Sequence, residues 1–562
     1  MKFKKNLEQI LLEKGKINHK QLSQIVSARE KAGEKIEEFI IREKFVTEEE
    51  ITEVISEEIG IAFLDLRNFI IDPAVLNIVD EKTARRLHLL PLYKVKDTLT
   101  IAMADPQDII SVDEIRVRTG FRNIQVVMST RTAILEGITQ AYTLGSTLDD
   151  IIKPITEQGL VYAPSTTVTS HMLTSLAKQP PVIKFVNQMI FDALKSRASD
   201  IHIEPLQNKL RIRFRIDGIL YDIVSVPMQI HLPVVPRIKI LAGLDIAERR
   251  KPQDGRFSIE VAGKQIDLRI AVFPMAYGES VSMRILDRTT SFLELEELGF
   301  SSDGFKKFQK LIKIPHGIIL VTGPTGSGKS STLYAVLNRI SSPEKNILTI
   351  EDPIEYLLEN VNQAQVNPKI GLDFAAALRS FLRQDPDVIM IGEIRDEETV
   401  DMAFRAALTG HLVLSTLHTN DAPTAITRLK DMGLDKNIMA SSMLCILAQR
   451  LVRTICSSCK ISHQPEKNLL DDLDIKPNSE TKFYKGKGCD DCNGTGYKGR
   501  IGIYELLEVT DEIKILVQKD ASIEEIRKQA IAAGMKTLSQ DGMDKAKQGI
   551  TTLEEVIRVT QE

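Results

Sequence analysis

Residues Gly323-Pro324-Thr325-Gly326-Ser327-Gly328-Lys329-Ser330 constrain this chain more than any other stretch. They follow the apolar run Ile318-Ile319-Leu320-Val321 and lead into a helix-like segment at 331–339. Strand, glycine-rich turn and helix start, in that order, make an anion cradle. The glycines let backbone amides curl around a phosphate, and the helix N-terminus adds unpaired N–H groups and a positive dipole end. Lys329 can reach β- and γ-phosphates, and Ser330 can ligate Mg2+. A chance glycine loop would not need this context, so the chain is expected to bind a nucleotide.

A chain of 562 residues suggests three or four domains. Hydrophobic residues are 43% and charged residues 27%, as in ordinary globular domains. The N-terminus turns directly into an amphipathic helix pattern, with no apolar signal-peptide core. No apolar run approaches the length of a membrane span. The expectation is a cytoplasmic protein whose membrane association is peripheral.

Residues 1–143 read as one N-terminal module. Its first part carries a helical repeat offset by 29 residues: Leu7, Leu11, Ile17 and Leu22 recur as Ile36, Ile40, Val46 and Ile51. Two copies of one helical hairpin explain the offset. Residues 61–143 look mixed, with strands near 90–93 and 99–103 and helices at 112–119 and 130–141. The Ser- and Thr-rich stretch 144–179 reads as a linker with room for one helix, which would let the first module move. Residues 180–290 read as an α+β domain: a helix from Pro180, then strand-like 200–205, 210–216, 265–273 and 279–286. Asp217-Gly218 is a hairpin turn signal.

Residues 291–562 read as α/β, closing in C-terminal helices at 510–562. Four apolar runs, 318–321, 347–350, 388–391 and 412–414, each give way at once to polar residues. Buried parallel strands look like this, and open α/β sheets keep ligands at their carboxyl ends. Nucleotide hydrolysis needs a metal clamp, a group that positions water, and positive charge. Ser330 and Glu393 suit the clamp, with Gly392 allowing close approach; Asp387 lies at the wrong end of its strand. Glu351, Asp352 and Glu355 crowd around Pro353, and bound Mg2+ would relieve their repulsion. Glu355 is the first choice for the base and Glu351 the second. His418 is placed to sense a γ-phosphate, whereas His411 reads as structural.

Cys456-Ser457-Ser458-Cys459 and Cys489-Asp490-Asp491-Cys492 are two CxxC knuckles, which together give the four thiolates of a structural Zn2+ site. The long spacer places a small lobe between them, and the zinc lobe is read as 456–492. Cys445 lies in an apolar helix pattern and reads as core.

Four ordered motifs resemble the secretion ATPase superfamily, specifically the assembly motors of type II secretion systems and type IV pili. They are 323–330; Ile350-Glu351-Asp352-Pro353-Ile354-Glu355; Arg383-Gln384-Asp385-Pro386-Asp387 through Gly392-Glu393-Ile394-Arg395-Asp396; and Thr416-Leu417-His418-Thr419-Asn420. The resemblance covers nearly the whole chain. It implies a multidomain α/β protein: a RecA-like P-loop ATPase core, a preceding PAS-like α+β domain, an N-terminal α/β module and a tetracysteine zinc lobe. It implies ATP as substrate, a catalytic glutamate in the 351–355 segment, Glu393 as the acidic metal ligand and His418 as sensor. The family's arginine pair falls on Arg269 and Arg284, while Arg211, Arg213 and Arg215 read as structural or interfacial. The zinc lobe is a mark of assembly motors rather than retraction motors.

The resemblance further implies a homo-hexamer that powers pilin or pseudopilin filament assembly. Its implied partners are an inner-membrane platform protein and a docking partner at the cytoplasmic face. The N-terminal repeat resembles a module that binds cyclic di-GMP in some relatives. Here Asn6-Leu7-Glu8 and Arg29, then Ile36-Glu37 and Glu58, replace an arginine-bearing motif, and the added acids disfavour an anionic ligand. Two rivals stand beside the motor reading. A nucleic-acid translocase would need a basic track or stacking aromatics, and a net charge of −4 with 5% aromatics argues against it. A non-hydrolysing nucleotide-gated scaffold would not need the intact carboxylate set.

Overall fold

The computed structural model describes residues 6–32, 36–142, 170–287, 294–465 and 482–561. The chain divides into two compact units, residues 1–289 and 290–562.

In the first unit the helical repeat is present as two hairpins. Leu7–Glu13 with His19–Ala32 is followed by Ile36–Arg42 with Glu48–Ile59. Leu11, Ile25, Ile40 and Val54 share one small core. Next comes a three-stranded sheet in the order Leu89–Val95, Thr98–Met103, Asn123–Met128, flanked by Ile109–Thr119 and Arg131–Tyr142. Asn123–Met128 and the short helix Glu81–Leu87 escape the sequence reading.

The linker stretch 144–179 lies outside the described residues except for its end, where Ser170–Ala177 is helical. Pro180–Lys195 then starts on two prolines, which fit the first helical turn because no N–H is needed there. A seven-stranded sheet follows. Its order is Phe69–Ile70, Gln253–Val261, Lys264–Met275, Gly278–Asp287, Ala198–Pro205, Lys209–Ile216, Ile219–Pro227. Asp217 and Gly218 both take positive φ in the hairpin turn, as the Asp-Gly signal requires. One face packs on Pro180–Lys195 and His231–Leu241 through Phe185, Met189, Phe214 and Ile238. Two strands, Ile219–Pro227 and Gln253–Val261, and the helix His231–Leu241 are additions to the sequence reading.

The first strand of that sheet changes the picture of a freely moving N-terminal module. Phe69 and Ile70 pair in parallel with Glu260 and Val261, so the module contributes an edge strand to the α+β sheet. A pairing across so long a separation leaves no local sequence signal.

The second unit is built on another seven-stranded sheet. Its order is Asn362–Gln365, Ile347–Glu351, Val388–Ile391, Leu412–Leu417, Gly317–Thr322, Met443–Ile455, Tyr497–Glu508. All neighbours are parallel except the last pair. The four central strands are buried throughout because alternate side chains feed two cores. Ile318, Ile350, Ile389 and Val413 enter one, against Glu397–Leu408 and Ala422–Asp431. Ile319, Ile347, Met390 and Leu414 enter the other, against Ser302–Leu311 and Lys329–Ile340.

Cys445 is core, being fully buried, but it sits on the strand Met443–Ile455 rather than on a helix. A run buried on both faces has no period that separates the two. Among the described residues no helix is long and apolar enough to cross a membrane.

Candidate nucleotide and metal sites

The strand Gly317–Thr322 delivers the glycine-rich loop to the carboxyl edge of the sheet. Gly323 has φ +151°, and a Cβ there would lie 2.5 Å from the Gln449 carbonyl oxygen and 2.6 Å from Ser327 Oγ. Only glycine fits so close a turn. Gly328, at φ +88°, precedes the helix Lys329–Ile340 and offers no side-chain cap, which leaves the first-turn amides for another acceptor. The buried Ser327 hydroxyl has no partner among the described residues. Lys329 is 8% exposed, and its Nζ donates to the carbonyls of Gly323 at 2.7 Å and Pro324 at 3.1 Å. Burial pulls its pKa down to about 8, against Glu393, which raises it, and with Arg450, which lowers it further. Uncapped amides, an orphaned hydroxyl and a partly desolvated cation fit a phosphate group.

Glu393 follows Val388–Ile391, and its carboxylate faces a guanidinium and an imidazole. Arg395 Nη2 donates to Oε1, and His418 Nε2 lies 3.3 Å from Oε2. Burial alone would raise this carboxyl, but Arg395 and His418 hold it below the usual range. Gly392 donates to the Ile350 carbonyl at 2.8 Å, and a Cβ there would lie 3.3 Å from the same oxygen, so the expected close approach is present. Thr416 Oγ1 reaches the Gly392 carbonyl at 2.7 Å, fixing the His418 segment beside Glu393.

Glu351 ends its strand 4% exposed, held by three donors. Thr349 Oγ1 gives a bond of 2.6 Å, Gln363 Nε2 one of 2.9 Å, and the Tyr334 hydroxyl a third. The Glu355 amide donates to that same Tyr334 hydroxyl at 3.2 Å. Tyr334 therefore ties the phosphate-loop helix to both glutamates, and sequence reasoning missed it. Tyr334→Phe should cost about 1–2 kcal/mol in stability, since two buried hydrogen bonds go. It should lower kcat more than it raises the nucleotide Kd; parallel melting and steady-state assays would read both.

Gln449 and Arg450 were also missed. Thr332 Oγ1 donates to Gln449 Oε1 at 2.8 Å, and Arg450 Nη2 donates to the Asn420 carbonyl at 2.9 Å. Two buried polar residues inside an apolar run were the available signal. Asp387 accepts from the Asn346 amide at 2.7 Å at the far end of its strand, and His411 Nδ1 meets the Ala406 carbonyl at 2.9 Å, both as structural residues.

Arg269 and Arg284 belong to the other unit, where they face each other across adjacent antiparallel strands. Arg284 Nε donates to Asp200 Oδ1 at 3.0 Å while its side chain stays 58% exposed. Arg211 and Arg213 both bind Glu204, the structural reading. Arg215 lies 3.5 Å from Asp200.

The four knuckle cysteines come together. Their Sγ atoms all lie within 4.8 Å of one another, with three of the separations at 3.8, 3.9 and 3.7 Å. A tetrahedron of about 2.3 Å Zn–S bonds has edges of about 3.8 Å. The residues therefore fit the ion. The Cys492 sulfur accepts from the amides of Cys489 and Gly496 at 3.2 Å each, which favours thiolate. The short pair Lys460–His463 and Phe483–Gly486 starts the lobe; residues 466–481 lie outside the described residues.

Leu553–Thr560 fastens this region. Glu555, 2% exposed, binds Arg453 and Arg558. Burial opposes ionisation, but the two guanidinium groups win and take its pKa to about 2. The stability this pair gives is present above the ordinary carboxylate range and is lost as pH falls through about 2. Glu555→Ala should cost about 3 kcal/mol by removing the buried carboxylate that Arg453 and Arg558 share, read as a lower melting temperature.

The family described as "Type II/IV secretion system protein" matches residues 175–558, and the MshEN domain matches 59–147. The type IV pilus assembly ATPase PilB of Myxococcus xanthus is 41% identical over 559 residues, covering 98% of each chain. The type II secretion system ATPase E of Vibrio cholerae is 50% identical over 382 residues, covering 68% of this chain and 76% of that one. In fold, the ATPase DotB of Yersinia pseudotuberculosis superposes with a TM-score of 0.51 at 22% identity, over 71% of this chain and 96% of that one. The phosphate-loop sheet and the length of these matches make one assignment: this chain belongs to the type II/IV secretion ATPase family.

Proposed function

We propose that this ATPase is a hexameric assembly motor that couples ATP hydrolysis to the addition of pilin or pseudopilin subunits at the cytoplasmic face of the inner membrane. The observation that carries the reading is convergence. Lys329, Glu393 and His418 meet at the carboxyl ends of neighbouring parallel strands, with Glu351 and Glu355 joined to the same loop helix by Tyr334.

The roles follow from position. The loop 323–330 cradles the phosphates, and Lys329 turns from its carbonyl partners to the β/γ-phosphates. Ser330 and Glu393 would hold Mg2+, which neutralises phosphate charge when bound. Glu355 is the base that orients water. Glu351, already saturated by three donors, positions it. His418 reads the state of the γ-phosphate through Glu393. Arg269 and Arg284 supply positive charge to a terminal phosphate. We assign a RecA-like core with its zinc lobe to 291–562, a PAS-like domain to 180–290 and the docking module to 1–143. The partners are a membrane platform protein and a docking protein, and Zn2+ fills the cysteine cluster. Acidic residues in the helical repeat disfavour cyclic di-GMP there.

The test is ATPase rate with and without the cytoplasmic domains of candidate platform proteins, with Lys329→Ala as control. A low basal rate raised by one platform and abolished in the control supports the motor. A rate indifferent to every platform but raised by DNA or RNA overturns it in favour of a translocase.

A further inference from the structure

The first unit contains a cavity of about 640 Å³ that the ATPase reading does not use. That size lies within the range of small-molecule sites, about 300–1,000 Å³. Its walls include Phe69 and Ile70 of the edge strand, Lys184 and Phe191 of Pro180–Lys195, and Arg237 and Leu241 of His231–Leu241, with the end of Arg131–Tyr142 beside them.

The charge on those walls is one-sided. Arg67, Lys184 and Arg237 line the cavity, and among the described residues no Asp or Glu does; Arg67 is already paired with Asp65 and Glu49 beside it. Arg237 Nε is buried with no partner, and the guanidinium makes no hydrogen bond or ion pair among the described residues. Lys184 Nζ donates to the Ala141 carbonyl at 3.0 Å. Burial draws both cations below their ordinary pKa. A part-buried guanidinium with no anion is costly, and the aromatic and aliphatic wall beside it has no polar work to do.

We propose that this cavity binds an amphipathic organic anion, with a phosphate or carboxylate head against Arg237 and Lys184 and an apolar body against Phe69, Phe191 and Leu241. The body is either an acyl chain or an aromatic ring system; both meet the same wall. Ile70 lines the cavity and also pairs with Val261, so an occupant would hold the N-terminal module on the α+β sheet. A bound ligand therefore raises the stability of this unit.

The test is calorimetric titration of the full-length chain, with the nucleotide site held by a non-hydrolysable ATP analogue. The probes are dodecyl phosphate below its micelle concentration and 1-naphthyl phosphate. Inorganic phosphate and dodecyl maltoside supply the head alone and the tail alone. The expected result is one site per chain for one of the organic phosphates, at least about tenfold tighter than either control. Arg237→Gln and Lys184→Gln should each weaken it about tenfold, and Arg237→Lys should keep most of it. The probe that binds tells acyl from aromatic. Failure of both probes to bind, or full affinity in Arg237→Gln with unchanged melting, overturns the proposal. Should Arg237→Gln melt early, acetylation of Lys184 in the native wild-type chain decides: protection by the probe supports the site, and no protection rejects it.

Discussion

Glu393→Gln lowers ATP turnover by about two to three orders of magnitude and leaves the fold in place. The substitution keeps the volume and an acceptor for Arg395 and His418, so packing at this 16%-exposed side chain is preserved. What goes is the negative charge that favours the ammonium form of Lys329. Nucleotide affinity changes little, because the loop amides and Lys329 remain. The fall therefore sits in kcat rather than KM. Steady-state rates, calorimetric binding and a melting curve on one preparation separate the two. Turnover within threefold of wild type, with unchanged melting, would remove Glu393 from the reaction.

Stripping or blocking the cysteine cluster is the other large effect. Purified protein should carry one zinc per chain by elemental analysis, and Cys489→Ser or Cys492→Ser should carry almost none. Thiolate sites of this kind bind zinc with about 10–16 kcal/mol in isolated fingers, so the lobe should open without it. Opening is expected to be local at first. The Cys456 amide bonds to the Gly496 carbonyl at 3.0 Å, and the Ile455 amide to that of Ile550 at 2.9 Å, so the strand tips and the C-terminal helices loosen before the central sheet does. Protease cleavage near 460–490 should rise well before ATPase activity falls. Cys445→Ala is the control: Cys445 lies in the sheet core, outside the cluster, and its loss should leave zinc content intact.

Much of the second unit was legible because its strands are fully buried and end abruptly in polar residues. Runs such as Ile318–Val321 with Gly323 after them announce both the strand and the chemistry at its end. The helical repeat was legible because each copy must bury the same positions, Leu7 and Leu11 in one, Ile36 and Ile40 in the other. What escaped shares a different cause. Ile219–Pro227 is an edge strand with mostly half-exposed residues and no clean alternation. Met443–Ile455 is an inner strand buried along most of its length, on alternate as well as successive residues, and burial on both faces erased its period. Tyr334, Gln449 and Arg450 work through hydrogen bonds that only the folded chain creates. Arg269 and Arg284 were named from resemblance; their placement opposite each other comes from sheet register.

The edge strand Phe69–Ile70 bears on how this protein tolerates being cut. A fragment beginning after the linker would keep the other six strands of the α+β sheet yet uncover the Glu260–Val261 end of Gln253–Val261, where Phe69 and Ile70 pair in the full chain. Bare edges recruit strands from other molecules. Such a fragment is expected to associate and precipitate at concentrations where the full chain stays dispersed, although nothing in its own sequence has become more sticky.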